Sequence, residues 1–132
     1  MKTILILVSA LMLCFVLNSC NDSINNFAEN PNKIDTSLKI TFVELGSVNC
    51  IPCQKMRPIM DSLQKKYGTQ ISVKFIDVIK DPQLAEPYKI FVMPTQVFLD
   101  TTNVEVYRHE GFYPEDSIHI LLLSFGLKIL NN

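Results

Sequence analysis

The fold is decided by residues 43–58, which read VELGSVNCIPCQKMRP. Their first residues continue an apolar, β-branched and aromatic run that predicts a buried strand: Leu38, Ile40, Phe42, Val43 and Leu45. A Gly-Ser break follows this run. Beyond it, apolar residues recur at helical spacing, and Gly68 supplies a C-terminal stop: Met56, Ile59, Met60, Leu63 and Tyr67. The stretch therefore predicts a strand, a turn that carries two cysteines, and a helix.

Cys50 and Cys53 are separated by two residues at the point where the strand gives way to the helix. Free N–H groups and the dipole at a helix N-terminus favour a thiolate. Such settings lower a thiol pKa from about 8.5 to roughly 3.5–7.5. We therefore predict that Cys50 is a nucleophile and that the deeper Cys53 resolves the mixed disulfide formed on it. Pro52 is compatible with the first helical turn, where it removes no hydrogen bond.

Three other interpretations of the cysteine pair stay open at this point. A structural disulfide is one, although so short a loop gains little loop-closure entropy. A zinc site is another, but it needs about four ligands, and outside the cysteine pair the predicted mature chain offers His109 and His119 without finger spacing. Two inert thiols are the third, and they would be unusual in an exported protein. Thiol–disulfide exchange is the favoured interpretation, and no metal is expected.

The rest of the chain predicts an α/β fold. Residues 71–78 alternate at first, with Ile71, Val73 and Phe75 apolar, and then become mostly apolar, which is typical of a central strand covered on both faces. A short helix is predicted between 82 and 89, and residues 95–99 and 104–109 predict a β-hairpin. Pro114 and two acids open a last helix with an apolar side: Ile118, Leu121, Leu122, Phe125 and Ile129. This order predicts a central mixed sheet of four to five strands with helices on both faces.

The N-terminal segment differs in composition from the remainder. A cationic start at Lys2 precedes an almost wholly apolar run over residues 4–17, which is shorter than the about 20 residues that a spanning helix needs. We interpret residues 1–19 as an export signal. Residues 20–37 are rich in Asn, Asp and Ser and predict a flexible tether. The folded domain is expected to occupy residues 38–132.

The end of the apolar run, Leu17-Asn18-Ser19-Cys20, resembles the lipobox of bacterial lipoproteins. The resemblance implies that Cys20 is joined to diacylglycerol and becomes the first residue of the mature chain. It also implies an anchor on a membrane, on the periplasmic side of a cell envelope. Ordinary signal cleavage near Ser19 is the alternative. Because Cys14 leaves with the signal, lipidation of Cys20 would leave a single thiol pair in an oxidising compartment.

The charge balance excludes one class of partner. The 132 residues carry 12 Lys and Arg against 13 Asp and Glu. No basic excess is available to neutralise phosphates, so nucleic acid is not an expected partner. The chain length suits one domain, and a monomer is expected.

Residues 43–58 also resemble the first core strand, active-site turn and helix of the thioredoxin family. Pro58 coincides with the helix-kinking proline of that family, and Gly111 falls near its late glycine. Residues 93–95, Met-Pro-Thr, resemble its cis-proline loop. The resemblance extends over roughly residues 38–130 and implies a thioredoxin-like fold and a thiol:disulfide oxidoreductase.

The same resemblance implies a substrate-binding surface. Pro94 is expected to follow a cis peptide bond, which would turn the Met93 backbone outward to pair with an extended substrate segment beside the cysteines. Thr95, Ile51 and Pro52 are expected to share this surface. An ordinary trans proline at the start of a strand is the alternative for Pro94.

Glu44 stands where thioredoxins carry a buried Asp. The resemblance implies that it exchanges a proton with Cys53, aided by a pKa raised through desolvation. A solvated Glu44 at a sheet edge is the alternative. The lysine that neighbours the family's acid is not matched, because Lys74 is one position out of register and strand alternation directs it to the opposite face. Asn49 replaces the family's aromatic residue before the first cysteine.

These observations together predict an exported, lipid-anchored enzyme that exchanges disulfides on exported proteins. The expected direction is reduction, with electrons from a membrane-embedded thiol donor and with no cofactor beyond the Cys50–Cys53 pair. A copper-binding, chaperone-type module that uses the same cysteines is the alternative from another class, since soft thiolates favour Cu(I).

Overall fold

The computed structural model describes residue 37 and residues 39–130. The predicted signal, most of the predicted tether with its Cys20, and residue 38 lie outside the described residues. The described elements, in order, are β1 (Ile40–Gly46), α1 (Ile51–Tyr67), a 3-10 turn (Gly68–Gln70), β2 (Ile71–Asp77), α2 (Pro82–Ala85), a 3-10 turn (Glu86–Tyr88), β3 (Thr95–Leu99), β4 (Glu105–Glu110) and α3 (Glu115–Ser124). Among these residues, no helix has both the length and the apolar character needed to cross a membrane.

The four strands form one mixed sheet in the order β2-β1-β3-β4. The β1 and β2 strands are parallel, whereas β3 is antiparallel to both β1 and β4. A parallel pair needs a crossover connection, and α1 supplies it. The predicted α/β fold with a mixed sheet is confirmed.

Alternate residues of β1 pack against helices on opposite faces of the sheet. Phe42 belongs to the larger core, which includes Met56 of α1 and Ile118 of α3. Val43 and Leu45 belong to the smaller core, which includes Ala85 of α2. Because successive side chains of a strand point to opposite faces, helices cover both faces of β1. This central strand leads directly into the cysteine turn.

Local chemistry explains where α1 begins and ends. Cys50 is the N-cap residue, and its sulfur accepts a hydrogen bond from the Cys53 N–H over 3.3 Å. Gly68 closes the helix with a φ of +56°, a conformation that an L side chain rarely adopts. The Gly68 N–H donates to the Gln64 carbonyl, and Lys65 and Lys66 lie in the last turn, where cations complement the dipole. The predicted helix and its stop are confirmed.

The interpretation of β2 as a central strand is wrong. Within the described part of the chain, β2 pairs with β1 alone and forms one edge of the sheet. Its apolar residues pack on both faces, with Phe75 against the larger core and Ile76 against the smaller core. An edge strand covered on both faces therefore produced the sequence pattern of a central strand. The strand also ends at Asp77, one residue before the predicted run ends.

Two smaller differences concern the C-terminal half. The α3 helix ends at Ser124, so Ile129 does not continue its apolar side and is exposed. Gly126 turns the chain with a φ of +81°, and Leu127 takes the buried position instead. The predicted hairpin is present, with its second strand beginning at Glu105 and not at residue 104.

Candidate active site

Four chain segments meet at the end of the sheet where β1 ends, a border formed by strand termini and not by an edge strand, and we call it the site edge. Gly46 pairs with Asp77 and Leu45 pairs with Thr95, so the loop after β2 and the loop before β3 reach the same edge. Thr95 pairs in turn with Glu110, which brings the loop after β4 to this edge. The cysteine turn follows Gly46 directly. The register of the sheet therefore places the predicted cysteine, cis-proline and late-glycine segments side by side.

Cys50 and Cys53 form a disulfide at the N-terminus of α1. Cys50 is partly exposed, whereas Cys53 is 1% exposed. Three hydrogen bonds hold the turn. The Cys50 N–H donates to the Ser47 carbonyl, and the Cys53 N–H donates to the Cys50 sulfur. The side-chain amide of Gln54 donates to the Val48 carbonyl. One sulfur is therefore open to attack from outside and the other is shielded behind it.

Gly46 allows β1 to approach the buried sulfur closely. A Cβ at this position would lie 2.8 Å from the Cys53 Sγ and 3.1 Å from its Cβ. The first distance is too short for any Cβ unless a neighbouring atom moves, and the second is tight. The glycine was interpreted from sequence as a simple strand break, and the close contact behind that break depends on how α1 docks against β1.

Asp77 is a site residue that the sequence reasoning missed. Its carboxylate accepts hydrogen bonds from the N–H groups of Val48, Ile79 and Lys80 at 3.3, 3.0 and 3.2 Å. Partial burial acts to raise the pKa of Asp77, but these three N–H groups and the Lys80 charge together hold that pKa below its ordinary value. Asp77 thus ties the cysteine turn to the end of β2. An Asp at a strand end before a turn was the available signal.

Glu44 is completely buried in the middle of β1. Burial raises the pKa of its carboxyl group to about 8, and the nearby Gln96 amide lowers it to a lesser degree. Neither oxygen of the Glu44 carboxyl is hydrogen-bonded to any of the described residues. Glu44 lies on the same face of β1 as Gly46, which contacts Cys53. The alternative of a solvated Glu44 at a sheet edge is therefore wrong.

Lys74 has the orientation expected from its register. It pairs with Val43 and not with Glu44, and its side chain is exposed. Phe75 takes the position opposite Glu44 on β2, and the Arg57 guanidinium lies over the Phe75 ring at 5.1 Å from its centroid. The buried acid therefore has an aromatic ring beside it on this strand.

The Met93–Pro94 peptide bond is cis, as the resemblance implied. Pro94 is buried and its carbonyl accepts a hydrogen bond from the Gly111 N–H at 2.7 Å. Thr95 is fully buried, and its hydroxyl donates to the Val92 carbonyl at 2.7 Å. Met93, by contrast, is exposed. The loop thus holds Met93 outward at the site edge.

Exposed apolar side chains accompany the disulfide at the site edge. We call them the apolar rim: Ile51, Ile79, Phe91, Val92, Met93 and Phe112. Phe91 is 90% exposed and Ile51 is 69% exposed. Pro52, which precedes Cys53, is also exposed. A group of exposed apolar residues beside a reactive pair is typical of a binding surface.

The histidines lie elsewhere. His109 stacks on Tyr113 with ring centroids 4.0 Å apart, and His119 bonds the Tyr67 hydroxyl through Nδ1 at 2.9 Å. Within residue 37 and residues 39–130, no group of three or more His, Cys, Asp or Glu side chains is placed to hold a metal ion. The copper-binding alternative gains no support from the described contacts.

Comparisons with known proteins agree with this architecture. The sequence model of the family described as Thioredoxin matches residues 21–123. A thioredoxin-like protein of Synechocystis is 37% identical over 86 residues, which are 65% of this chain and 78% of that protein. Thioredoxin-1 of Drosophila melanogaster is 39% identical over 61 residues, which are 46% of this chain and 57% of that protein. The matched segments span about half the length of several curated relatives, for example 47% of thioredoxin-1 of Drosophila yakuba.

Solved structures agree as well. The germline-specific thioredoxin Deadhead of Drosophila melanogaster superposes with a TM-score of 0.60 at 30% identity, over 67% of this chain and 83% of that chain. A mutant thioredoxin of Halobacterium salinarum superposes with a TM-score of 0.61 at 24% identity, over 71% of this chain and 80% of that chain. The latter likeness concerns the fold alone.

Proposed function

Because the chain belongs to the thioredoxin family, we propose that it is a thiol:disulfide oxidoreductase whose redox pair is Cys50 and Cys53. One observation carries the proposal. The two sulfurs form a disulfide at a helix N-terminus, with Cys50 partly exposed and Cys53 shielded behind it. A structural disulfide would have no need of this asymmetry, whereas an exchange reaction needs one attacking sulfur and one resolving sulfur.

In the reducing direction, the reaction has two steps. The Cys50 thiolate attacks one sulfur of a substrate disulfide, which forms a mixed disulfide and releases the first substrate thiolate. The Cys53 thiol then transfers its proton to the Glu44 carboxylate, and the resulting thiolate attacks the Cys50 sulfur. This step forms the Cys50–Cys53 disulfide and releases the second substrate thiolate. Two electrons pass from the dithiol to the substrate, and no other cofactor is required.

The position of Glu44 suits the proton transfer. Its carboxyl is buried on the strand face that contacts Cys53, and a pKa of about 8 leaves part of the carboxyl ionised at neutral pH. A base with a pKa near the working pH can both accept and return a proton efficiently. Glu44 is the proton acceptor of the resolving step in this mechanism.

The substrates are proposed to be proteins. The exposed Met93 offers its backbone to an extended segment beside Cys50, in the manner of an added strand. The apolar rim and the exposed Pro52 favour substrate segments that carry apolar side chains next to the substrate disulfide. Thr95 is buried and supports the cis-proline loop through its hydrogen bond to Val92. The recognition is therefore broad and depends on an extended, locally unfolded chain.

Location and direction are proposed from the sequence. Residues 1–19 act as a lipoprotein signal, Cys20 carries the lipid, residues 20–37 form the tether, and the domain begins at residue 38. The protein is a monomer held to a membrane on the periplasmic side of a cell envelope. It reduces exported proteins and receives its electrons from a membrane-embedded thiol donor.

Trapping of substrates tests the proposed chemistry. Cys53→Ala removes the resolving thiol, so Cys50 should stay covalently bonded to its substrates in complexes that disappear with reductant. The matched control is Cys50→Ala, in which the remaining sulfur is buried and should trap few or none. Equal trapping by both variants would contradict the assigned roles. Glu44→Gln should fold normally but resolve mixed disulfides more slowly at neutral pH.

Membrane fractionation tests the anchor separately. Cys20→Ser should abolish labelling by radioactive lipid precursors and release the protein from the membrane, since several acyl chains hold a protein firmly where one does not. A wild-type protein without label, or a membrane fraction unchanged by the substitution, would contradict the lipoprotein assignment and leave the redox chemistry untouched.

A further inference from the structure

Two buried polar side chains face each other across the strand pair beneath the disulfide. Glu44 of β1 and Gln96 of β3 are directly paired in the antiparallel register. Cβ atoms of such a pair lie about 4.5–5.5 Å apart on the same face of the sheet. Both residues are 0% exposed. A buried carboxyl and a buried amide are thus held within reach of each other.

Neither side chain is hydrogen-bonded to any of the described residues. Both Glu44 oxygens and both polar atoms of the Gln96 amide are buried without a formed hydrogen bond. Buried polar groups are nearly always hydrogen-bonded, and an isolated one is costly. Each residue therefore supplies what the other lacks, and the register keeps the two side chains next to each other.

The chemistry of a glutamine amide fits a carboxyl that gains and loses a proton. Its NH2 group can donate to the carboxylate, and its carbonyl can accept from the carboxylic acid O–H. Rotation of the amide about its last torsion angle exchanges one for the other. An aliphatic side chain could do neither, and a lysine could serve the carboxylate alone.

We propose that Gln96 is a positioning residue whose amide pairs with the Glu44 carboxyl in both of its protonation states. The inference rests on the proposed function, because it makes Gln96 the partner of the proton acceptor of Cys53. Gln96 would act through Glu44 and would not touch the substrate. The sequence reasoning did not single out this residue, since its pairing with Glu44 depends on the β1–β3 register.

Other charged or titratable groups belong to the elements packed around the pair. On β2, Phe75 is the residue opposite Glu44, and the Arg57 guanidinium lies over the Phe75 ring. Two further groups on this face are Cys53 of α1, which lies against Gly46, and Asp77 of β2, which accepts a hydrogen bond from the cysteine turn. On the other side of Gln96, His109 of β4 is its partner in the sheet and stacks on the Tyr113 ring. Among the described polar residues, Gln96 alone is paired with Glu44 in the sheet and has no other side-chain hydrogen bond.

The consequence is a shift in the titration of Glu44. Loss of the amide removes a hydrogen bond from both forms of the carboxyl, but the bond to the carboxylate is the stronger one because its acceptor is charged. The difference between the two bonds corresponds to about one pH unit. In Gln96→Leu the titration midpoint of Glu44 should therefore move upward by about one unit. At neutral pH this leaves about tenfold less ionised carboxyl to accept the Cys53 proton.

Nuclear magnetic resonance of the full chain in its disulfide form tests the pairing directly. Cys50 and Cys53 do not titrate in this form, so the carbon-13 signal of the Glu44 carboxyl reports its own titration without interference from the redox pair. Glu44→Gln identifies the signal, and His109→Gln is the control that should leave the midpoint in place. An upward shift in Gln96→Leu, or in the unbranched Gln96→Met, supports the inference. An unchanged or lowered midpoint overturns it.

A second measurement needs no substitution of Gln96. In the wild-type protein the side-chain amide signals of Gln96 should shift with pH at the same midpoint as the Glu44 carboxyl. The pH dependence should vanish in Glu44→Gln. Amide signals that stay constant through the Glu44 titration would overturn the pairing even if the Gln96 variants fail to fold.

Kinetics separates this inference from the proposed function. The pH profile of mixed-disulfide resolution should move upward with the carboxyl midpoint in Gln96→Leu. A carboxyl midpoint that moves while the kinetic profile stays fixed supports the Glu44–Gln96 pairing and overturns proton transfer from Cys53 to Glu44. A carboxyl midpoint that stays fixed overturns the pairing, whatever the role of Glu44.

Discussion

The burial of Glu44 predicts that this residue reduces the stability of the fold at neutral pH. Its carboxyl has a pKa of about 8 in the folded chain and an ordinary value of 4.5 in the unfolded chain. Between these values the folded state binds one more proton than the unfolded state. The free energy of unfolding therefore falls as pH rises from about 4.5 to about 8. Glu44→Gln removes the titration and should stabilise the protein there.

The magnitude follows from the pKa difference. Each unit corresponds to about 1.4 kcal/mol, and pH 7 lies 2.5 units above the ordinary value of 4.5. Glu44→Gln should therefore gain about 3 kcal/mol of unfolding free energy at pH 7 relative to its effect at pH 4. Such a gain is a large fraction of the about 5–15 kcal/mol that stabilises a typical domain.

Guanidinium unfolding of the disulfide form measures this effect. Wild type and Glu44→Gln are compared at intervals from about pH 4 to about pH 9, so that the difference between them isolates one carboxyl. At the acid end both side chains are neutral, and the difference there reports packing alone. A difference that stays constant over the whole range would refute a neutral, buried Glu44 in the folded state.

Three further predictions concern the surroundings of the site. Gly46→Ala should lose about 1–3 kcal/mol of unfolding free energy, because its Cβ would collide with the Cys53 sulfur. Asp77→Ala should accelerate hydrogen exchange of the Val48 amide by about five- to tenfold, since this N–H loses its acceptor. Glu115→Gln should lose about 1 kcal/mol at pH 7, a value already reduced for solvent screening. This loss should fade as pH falls from the ordinary 4.5 toward about 2, where the folded carboxyl becomes protonated.

Each of these predictions has a control. Denaturant unfolding of Gly111→Ala, where a Cβ meets nothing within 4 Å but φ is +89°, measures the cost of a positive φ without a collision. Gly46 is not among the positive-φ glycines, so its loss of stability should come from the collision alone. Asp100→Ala breaks a similar turn in the β3–β4 hairpin and should leave the Val48 amide unaffected. For Glu115, which bonds Lys66 at 2.8 Å, a loss of stability equal at pH 7 and pH 2 would contradict an ionic contribution.

Much of the fold could be predicted because its signals are local. The cysteine turn, the α1 face and the Gly68 stop depend on residues within one element and its caps. The hairpin and the start of α3 are local as well. The position of β2 in the sheet is not a local property, because a strand covered by helices on both faces has the same apolar sequence pattern at the edge of a sheet and at its centre. That distinction needs the strand order.

The residues of the candidate site also differ in how far the sequence can predict them. Cys50 and Cys53 can be identified from their spacing at the start of a predicted helix, whereas Glu44 and the Met93–Pro94 bond are marked only by the family resemblance. Three contributions depend on how separate elements pack or pair. These are the close approach of Gly46 to Cys53, the hydrogen bond from the Val48 N–H of the cysteine turn to Asp77, and the pairing of Glu44 with Gln96. No spacing along the sequence reveals such contacts.

The proposed function requires that Cys50 and Cys53 exchange disulfides with protein substrates. Its most direct test is the reduction of insulin by dithiothreitol, followed by the precipitation of the freed chains. The wild-type protein should accelerate the reaction in catalytic amounts, and the variant with both Cys50→Ser and Cys53→Ser should match the rate without protein. A double variant as active as the wild type, or a wild type that gives no acceleration, would contradict the proposed function.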